Sequence, residues 1–150
     1  MALEETINTE IKTAMLAKNE AALRALRAVK AAILLAKTSG GAGVLSVDDE
    51  LKILQKLVKQ RKESVEIFEK QGREDLAVGE KEEIAVIEKY LPAQMSEADI
   101  RAALQQIISS VGASSPSDTG KVMGAASKAF AGKADNKLVA AIVKELLSGQ

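Results

Sequence analysis

The chain of 150 residues contains no cysteine, no histidine and no tryptophan, and only 2% of its residues are aromatic. Without thiols or imidazoles it cannot form disulfides, zinc fingers, cysteine nucleophiles, Ser-His-Asp triads or histidine proton shuttles. A metal site would need clustered carboxylates, and the sequence shows no convincing ligand pattern of that kind. We therefore expect no metal, no cofactor and no independent active site.

Long hydrophobic runs are also missing, since no apolar segment approaches the roughly 20 residues that cross a bilayer. The first 17 residues alternate charged and apolar side chains and lack the apolar core of a signal peptide. The 21 basic residues balance the 21 acidic ones, so any site for a polyanion must be a local patch. These features predict a cytoplasmic protein with no membrane partner.

What the chain does contain is aliphatic: 47% of its residues are hydrophobic, mostly Ala, Leu, Ile and Val, which favours helices over strands. Apolar residues recur at helical spacing and predict an all-α protein of two consecutive domains, a four-helix part at residues 1–92 and a three-helix part at residues 93–150. Pro92 separates them. The predicted helices of the first part are Leu3–Lys18, Glu20–Lys37, one from Ser46 to about Gln71, and Arg73–Leu91; those of the second part begin near Ser96, Pro116 and Asp135 or Asn136.

Arg61 conflicts with the apolar stripe of the third helix, because an unpaired charge in that position would be costly. On the fourth helix Glu80 and Glu83 likewise place charges on the apolar side. Gly72 predicts a tight turn between the two helices, and Arg61 and Glu83 are each eleven positions from it. We expect Arg61 to form an ion pair with Glu80 or Glu83, and we favour a structural pair over a guanidinium that holds a phosphate or carboxylate ligand.

Two groups of basic residues are candidates for phosphate contacts. On the second helix Arg27, Lys30 and Lys37 share a stripe, with Arg24 at its edge; the alternative is a solvated face whose alkyl stems cover the core. In the second part the residues of two lysine pairs lie seven positions apart and so share helical faces, with the same alternative. These pairs are Lys121 with Lys128, and Lys137 with Lys144.

Glycines do not form a phosphate-binding fingerprint. The segment Thr38–Leu45 holds three glycines but follows a helix and lacks a Gly-Lys-Ser/Thr ending, so it predicts a flexible loop. Gly120 precedes Lys121 without the rest of a P-loop. Gly124 falls within a predicted helix, where it would permit close helix packing or carry a family-specific contact.

Seven stretches, in this order and spacing, resemble the small bacterial proteins of the YqeY family across nearly the whole chain. The departure lies in the glycine loop at residues 39–44, where similar proteins carry more charge. The matching stretches are Arg61–Ser64, Phe68–Leu76, Lys81–Ile84, Ile87–Gln94, Gly112–Ser115, Asp118–Gly124 and Ile142–Leu147.

The resemblance implies a four-helix amino-terminal part and a three-helix carboxy-terminal part. The latter is similar to the tail domain of the B subunit of the tRNA-dependent amidotransferase, which uses glutamine-derived ammonia to amidate glutamate or aspartate mischarged on tRNA. This chain lacks the kinase-like body of that subunit and the amidase subunit. The resemblance therefore implies association with tRNA rather than carbon-nitrogen ligase catalysis.

The leading hypothesis is a non-catalytic helical module that contacts tRNA or other structured RNA, as an accessory to tRNA-dependent amidation. The alternatives are a protein adaptor that docks on an amidotransferase subunit or a synthetase, and a self-contained amide-forming enzyme, for which the residues supply neither an acceptor site nor an ammonia source. In the leading hypothesis Lys121, Lys128, Lys133 and Lys137 contact phosphates, Gly120 and Gly124 shape the contact surface, and Arg27 and Lys30 form a second patch.

Overall fold

Helices account for nearly all the regular structure in the computed structural model, which describes residues 2–39 and 43–149. Within these residues there is no strand, and the all-α prediction is confirmed. A short 3₁₀ turn at Pro116–Asp118 precedes the sixth helix. The helices are α1 (Leu3–Leu16), α2 (Glu20–Ser39), α3 (Val47–Lys70), α4 (Glu74–Glu88), α5 (Glu97–Val111), α6 (Thr119–Ala129) and α7 (Asn136–Ser148).

The chain divides into two compact units, residues 1–92 and 93–150. The amino-terminal unit contains α1 to α4, and the carboxy-terminal unit contains α5 to α7. Each unit encloses its own cluster of buried aliphatic side chains. Two small cores in place of one mean that each unit has to be stabilised by its own contacts.

In the amino-terminal unit α3 and α4 form an antiparallel hairpin around Gly72, whose φ of 71° is the left-handed value that glycine adopts without strain. The amide of Arg73 donates to the carbonyl of Phe68 at 2.8 Å and that of Gly72 to Glu69 at 3.1 Å, which is a Schellman ending of α3. Helix α2 packs against α1, α3 and α4. Its fully buried side chains include Ala25, Val29 and Ile33.

Three helix ends differ from their predicted positions by two or more residues. Helix α1 ends at Leu16 instead of Lys18. Helix α2 continues to Ser39 instead of ending at Lys37, so the first two residues of the predicted loop are helical. The glycine-rich part of that loop, residues 40–42, lies outside the described residues. Helix α4 ends at Glu88 rather than Leu91, and residues 89–91 form turns. Because a residue that precedes proline disfavours the α conformation, the helix unwinds before Pro92.

The turn between α1 and α2 contains Lys18 in the left-handed conformation, with a φ of 55°. The amide of Lys18 donates to Met15 at 3.2 Å and that of Asn19 to Ala14 at 3.0 Å, so this turn has the same Schellman pattern as the Gly72 turn. Here the position that favours glycine holds a lysine, at a cost in backbone energy.

The carboxy-terminal unit begins with a segment that hydrogen-bonds to the turn between α6 and α7. The Gln94 amide donates to the carbonyl of Gly132 at 2.8 Å, and the Met95 backbone amide donates to that of Lys133 at 2.9 Å. Helix α5 ends at Gly112 with a φ of 71°. Side chains that are almost completely buried fill this core, and they include Ile100, Leu104, Val122, Ile142, Val139 and Val143.

Candidate nucleic-acid interface

The four lysines predicted to contact phosphates are all exposed on α6, on α7 or in the turn between them. Lys121 and Lys128 lie on α6, Lys133 in the turn and Lys137 in the first turn of α7. Within residues 93–149 of the described chain, none of the four has an acidic side chain within ion-pair distance, because the ion pairs found there belong to Arg101. Their ammonium groups are therefore available to an external anion.

The acids of this unit are largely occupied by other groups. Glu97 and Glu145 bind Arg101, with nitrogen–oxygen distances of 3.2 and 2.8 Å. Asp135 caps α7 by accepting the Lys137 backbone amide at 3.2 Å. The Asp118 carboxylate accepts the backbone amides of Ser114 and Ser115 at 2.9 and 3.3 Å. Most negative charges of this unit therefore lie at helix starts or beside one arginine.

Asp118 has a pKa below the ordinary value because the Ser114 and Ser115 amides stabilise its charged form, and the nearby Lys121 adds to the effect. The carboxylate is therefore ionised at neutral pH and offsets part of the positive charge of Lys121. Asp135, the cap of α7, lies two positions from both Lys133 and Lys137 and offsets part of their positive charge in the same way.

Gly120 and Gly124 lie on the exposed side of α6. A Cβ atom added at either position would meet no atom within 4 Å. The interpretation that Gly124 permits close helix packing is therefore wrong, since no atom of another helix lies within 4 Å of that Cβ position in the described part of the chain. The two glycines expose helix backbone next to Lys121 and Lys128, and their role in a contact surface stays a prediction.

The predicted patch on α2 is broken up by internal ion pairs. Lys37 donates to Glu4 of α1 at 2.7 Å, and the Arg24 guanidinium lies 3.6 Å from Glu83 and 3.8 Å from Glu82 of α4. Arg27 remains exposed, and Lys30 is half-buried. Two isolated cations form a weaker phosphate site than the stripe of four that the sequence suggests.

Arg61 lies opposite Glu83, as the hairpin register suggests, with 3.3 Å between Nε and Oε1 and 15% exposure of each side chain. Of the two acids expected there, Glu83 makes the contact; Glu80 is half-buried on the same helix. The Arg61 guanidinium also donates to the Leu57 carbonyl at 3.1 Å. A guanidinium with these partners stabilises the hairpin and is not available to bind a ligand.

The sequence reasoning missed that Glu83 is shared. Its second carboxylate oxygen receives Arg24, so α2, α3 and α4 meet at one acid. Gly79, one turn before Glu83, lies beside the Arg24 guanidinium, and an added Cβ there would make an ordinary van der Waals contact with it at 4.0 Å. The acidic run of α4 and the basic side chains of α2 were the signal available in the sequence.

A cavity of about 440 Å³ lies between the end of α2 and the start of α3. Its charged side chains are engaged or exposed: Lys37 pairs with Glu4, and Asp49 accepts the Ser46 backbone amide in the capping box of α3. The residues that line it are Ala36, Lys37, Ser39, Gly43, Val44, Leu45, Asp49, Lys52 and Ile53.

Over residues 2–39 and 43–149 no group of three or more acids lies close enough to hold a metal ion. In the same part of the chain, no helix has the length and the apolar character needed to cross a membrane. The chemical features left on the surface are therefore the exposed lysines and a few exposed apolar side chains.

Comparison with known protein families gives one match over nearly the whole chain, to the family described as Yqey-like protein, at residues 4–147. The chain belongs to the YqeY family. The resemblance inferred from the seven sequence stretches is thereby confirmed at the level of the family.

Curated relatives of this YqeY protein carry the name altered inheritance of mitochondria protein 41, mitochondrial. The relative from Clavispora lusitaniae is 37% identical over 60% of this chain and 52% of its own length. That from Meyerozyma guilliermondii is 36% identical over 73% and 60%, and that from Pyrenophora tritici-repentis is 28% identical over 96% and 80%. The match thus covers less than two thirds of the first two relatives.

These relatives correct one expectation. The sequence predicted a cytoplasmic protein, and this prediction is wrong by the comparison, because the relatives are named as mitochondrial proteins. The prediction depended on the absence of an apolar signal segment, a criterion that detects secretory signals alone. The relatives are fungal, whereas the resemblance was drawn to bacterial members of the family.

Proposed function

We propose that this YqeY protein is a non-catalytic helical module that associates with tRNA or other structured RNA through phosphate contacts of its carboxy-terminal unit. The observation that supports the proposal is the division of charge in that unit. Four of its five acids cap helix starts or hold Arg101. Four of its lysines are exposed and have no ion pair in the described part of the unit: Lys121, Lys128, Lys133 and Lys137.

Such contacts give an affinity that depends on salt, because each phosphate neutralised by a lysine releases counterions. They position a partner but do not read its sequence. Arg27 and Lys30 are a subsidiary contact in this proposal, since Arg24 and Lys37 beside them are paired with acids. Gly120 and Gly124 let a phosphate backbone approach α6 without meeting a side chain.

The proposal has a more specific part, in which the protein is an accessory to tRNA-dependent amidation. This part rests on the similarity of residues 93–150 to the tail domain of the amidotransferase B subunit. We assign no amide-forming step to the chain itself. The relatives' name refers to the inheritance of mitochondria and states no biochemical activity, so it neither supports nor opposes RNA binding.

A salt titration of tRNA binding tests the proposal. We replace Lys121, Lys128, Lys133 and Lys137 by glutamine and expect the slope of log K against log salt to become shallower by up to about 0.9 for each phosphate that is no longer neutralised. At 0.1 M salt the affinity should fall by a factor on the order of a thousand. Uniform weakening across tRNA sequences is expected.

The matched control removes the same charge from the other unit. Lys12, Lys52, Lys56 and Lys89 are also exposed, and their replacement by glutamine should leave the affinity nearly unchanged. Equal weakening in both variants would show attraction to net charge alone. The absence of saturable tRNA binding by the unaltered protein at low salt would end the proposal.

A protein adaptor is the second candidate, and the exposed apolar residues at one end of the amino-terminal unit favour it. Leu35 of α2 is 69% exposed, and Val44 and Val47 before and at the start of α3 are 79% and 71% exposed. Such side chains can anchor a partner helix. An amidotransferase subunit or a synthetase held by Leu35 and released by Leu35→Asp, with nuclease present, would support this function over RNA binding.

Crosslinking in the native cell separates the two candidates, provided both RNA and protein attached to the chain are identified. RNA attached at α6 and α7 supports the leading proposal. A single protein attached near Leu35, with no RNA, supports the adaptor.

A further inference from the structure

The carboxy-terminal unit offers no aromatic ring to a nucleic-acid base. Phe130 is the one aromatic residue between positions 93 and 150, and its side chain is only 6% exposed within the core. Proteins that bind unpaired strands rely on exposed rings or arginine planes on which successive bases stack. Stacking on a ring is therefore not available beside the candidate lysines.

The arginine of this unit is also not available to a nucleic-acid base, because acids already bind it. Arg101 is its one arginine, and its guanidinium lies 2.8 Å from Glu145 and 3.2 Å from Glu97. These acids hold the group that would otherwise stack on a base or bind guanine in a bidentate manner. The cationic groups that remain are lysine ammoniums, which act as point charges toward phosphates.

The helices that carry these lysines are well anchored. Val122 and Ala126 fix α6 in the core, and Val139 and Val143 fix α7. Lys121 and Lys128 are two turns apart, about 10 Å along α6. A duplex carries several phosphates over such a length, since double-stranded DNA has one charge for about every 1.7 Å of its axis.

We propose that the RNA partner is recognised through the phosphates of a base-paired stem and not through an unpaired strand, and that base sequence is not read. This inference rests on the proposed function. A stem presents its phosphates at fixed positions and high density, so it needs no ordering when it meets lysines on fixed helices. An unpaired strand loses conformational freedom on the same surface, and no stacking offsets that loss.

The experiment compares three probes with the full chain at 0.1 M and 1 M salt: two RNA hairpins of unrelated stem sequence and one unstructured RNA with the same number of phosphates. For each phosphate bound, the salt slope of a duplex exceeds that of a single strand by about 0.2. For four lysines this difference gives the stems an advantage of about sixfold in affinity at 0.1 M relative to 1 M. The two stems should bind within about twofold of each other.

A gain-of-function variant sharpens the test. Gly124→Trp places a ring on the open side of α6, where an added Cβ meets nothing within 4 Å. Gly124→Leu is the matched control, because it also adds a bulky side chain where the phosphate backbone approaches but offers no ring, and it should weaken binding of the stems and of the unstructured RNA alike. Relative to Gly124→Leu, Gly124→Trp should bind the unstructured RNA more tightly and the stems no more tightly.

Outcomes for the inference and for the proposed function are distinguishable. If the unaltered chain binds the unstructured RNA as tightly as the stems, or the two stems differ by more than tenfold, the inference fails while RNA association stands. If none of the three probes binds at low salt, the proposed function fails with it.

Discussion

In the amino-terminal unit several basic side chains pair with acids of neighbouring helices, whereas in the carboxy-terminal unit the lysines are exposed and the acids cap helices or hold Arg101. Arg61 and Arg24 share Glu83, and Lys81 bridges Glu69 and Glu74 at 3.2 and 3.4 Å. Among the described residues of the other unit, Arg101 alone bridges two helices by charge, from α5 to α7.

The difference shows that charge helps to fix internal register in one unit, whereas in the described part of the other unit the candidate lysines form no ion pair. A helical hairpin as long as α3–α4 can slide by a turn, and ion pairs across it favour one register. The three short helices of the other unit are fixed by caps and by tight turns, as at Ser96, Gly112 and Asp135. The register of this unit therefore does not depend on its lysines.

The largest expected effect tests whether the two units are stabilised separately. Leu104 is fully buried in the carboxy-terminal core, and Leu104→Ala should cost about 3 kcal/mol of the free energy of unfolding of that unit, because it removes buried apolar surface and leaves a cavity. Amide hydrogen exchange should accelerate in α5, α6 and α7 and stay unchanged in α2. Faster exchange in α2 as well would show that the two cores unfold together.

The next effect concerns the shared acid. Glu83→Gln should destabilise the amino-terminal unit by about 2 kcal/mol, because it leaves the 15%-exposed Arg61 without its charge partner; the value lies below that of a fully buried pair. Glu88→Gln is the control, since Glu88 pairs with the exposed Lys62 at 3.9 Å, and should cost less than about 0.5 kcal/mol. Urea unfolding measures both, and equal costs would contradict a structural role for the Arg61 pair.

A smaller effect on the free energy of unfolding is expected at two turns of the same type, one in each unit. Lys18→Gly should stabilise the amino-terminal unit by about 1 kcal/mol, because glycine adopts the φ of 55° without the strain that a side chain causes. Gly112→Ala should destabilise the carboxy-terminal unit by a similar amount, about 1 kcal/mol, since its φ is 71°. Thermal unfolding gives both signs, and a lower melting temperature for Lys18→Gly would assign that lysine side chain a stabilising contact.

The smallest effect is a pH dependence that the units share. Asp118 and Asp49 accept backbone amides at helix starts, and both have a pKa below the ordinary value for that reason. A lowered pKa in the folded state gives stability that is present above about pH 4 and disappears as the pH falls through the folded value. Asp118→Asn should reduce this pH dependence in the carboxy-terminal unit alone, and Asp49→Asn in the other. A part remains in each unit, because hydrogen bonds from Arg101 and Arg73 also lower the pKa of Glu145 and of Asp75. Urea midpoints between pH 5 and 2 with no change of slope in either variant would contradict the assignment.

Much of the helical structure could be predicted because its signals are local. Ser46 with Asp49 and Ser96 with Asp99 mark helix starts, and the structure shows the Asp49 and Asp99 amides donating to these serines. Gly72 and Gly112 mark helix ends with positive φ. The ends at Ser39 and Glu88 were misplaced, because the composition near Lys37 favoured a loop and Pro92 acts on residues that precede it.

The candidate interface could be predicted in part only. Exposed lysines at a spacing of seven are visible in the sequence, but their freedom from acids depends on where Glu145 and Asp118 lie in three dimensions. Arg101 and Glu145 are 44 positions apart, and no pattern in the sequence joins them. The patch on α2 failed for the same reason, because Glu4 and Glu83 belong to other helices.

By itself the sequence determined the helical class, the starts of the helices and the apolar stripes, because hydrogen bonds within a helix and the periodicity of side chains act over four or seven positions. Only the tertiary structure decided which charges are neutralised. An ion pair forms where two helices bring opposite charges within about 4 Å, and its strength depends on the water excluded there. For that reason Arg24 and Lys37 form ion pairs with acids of other helices and so contribute to the fold. Four lysines remain exposed without an ion pair in the described part of their unit: Lys121, Lys128, Lys133 and Lys137.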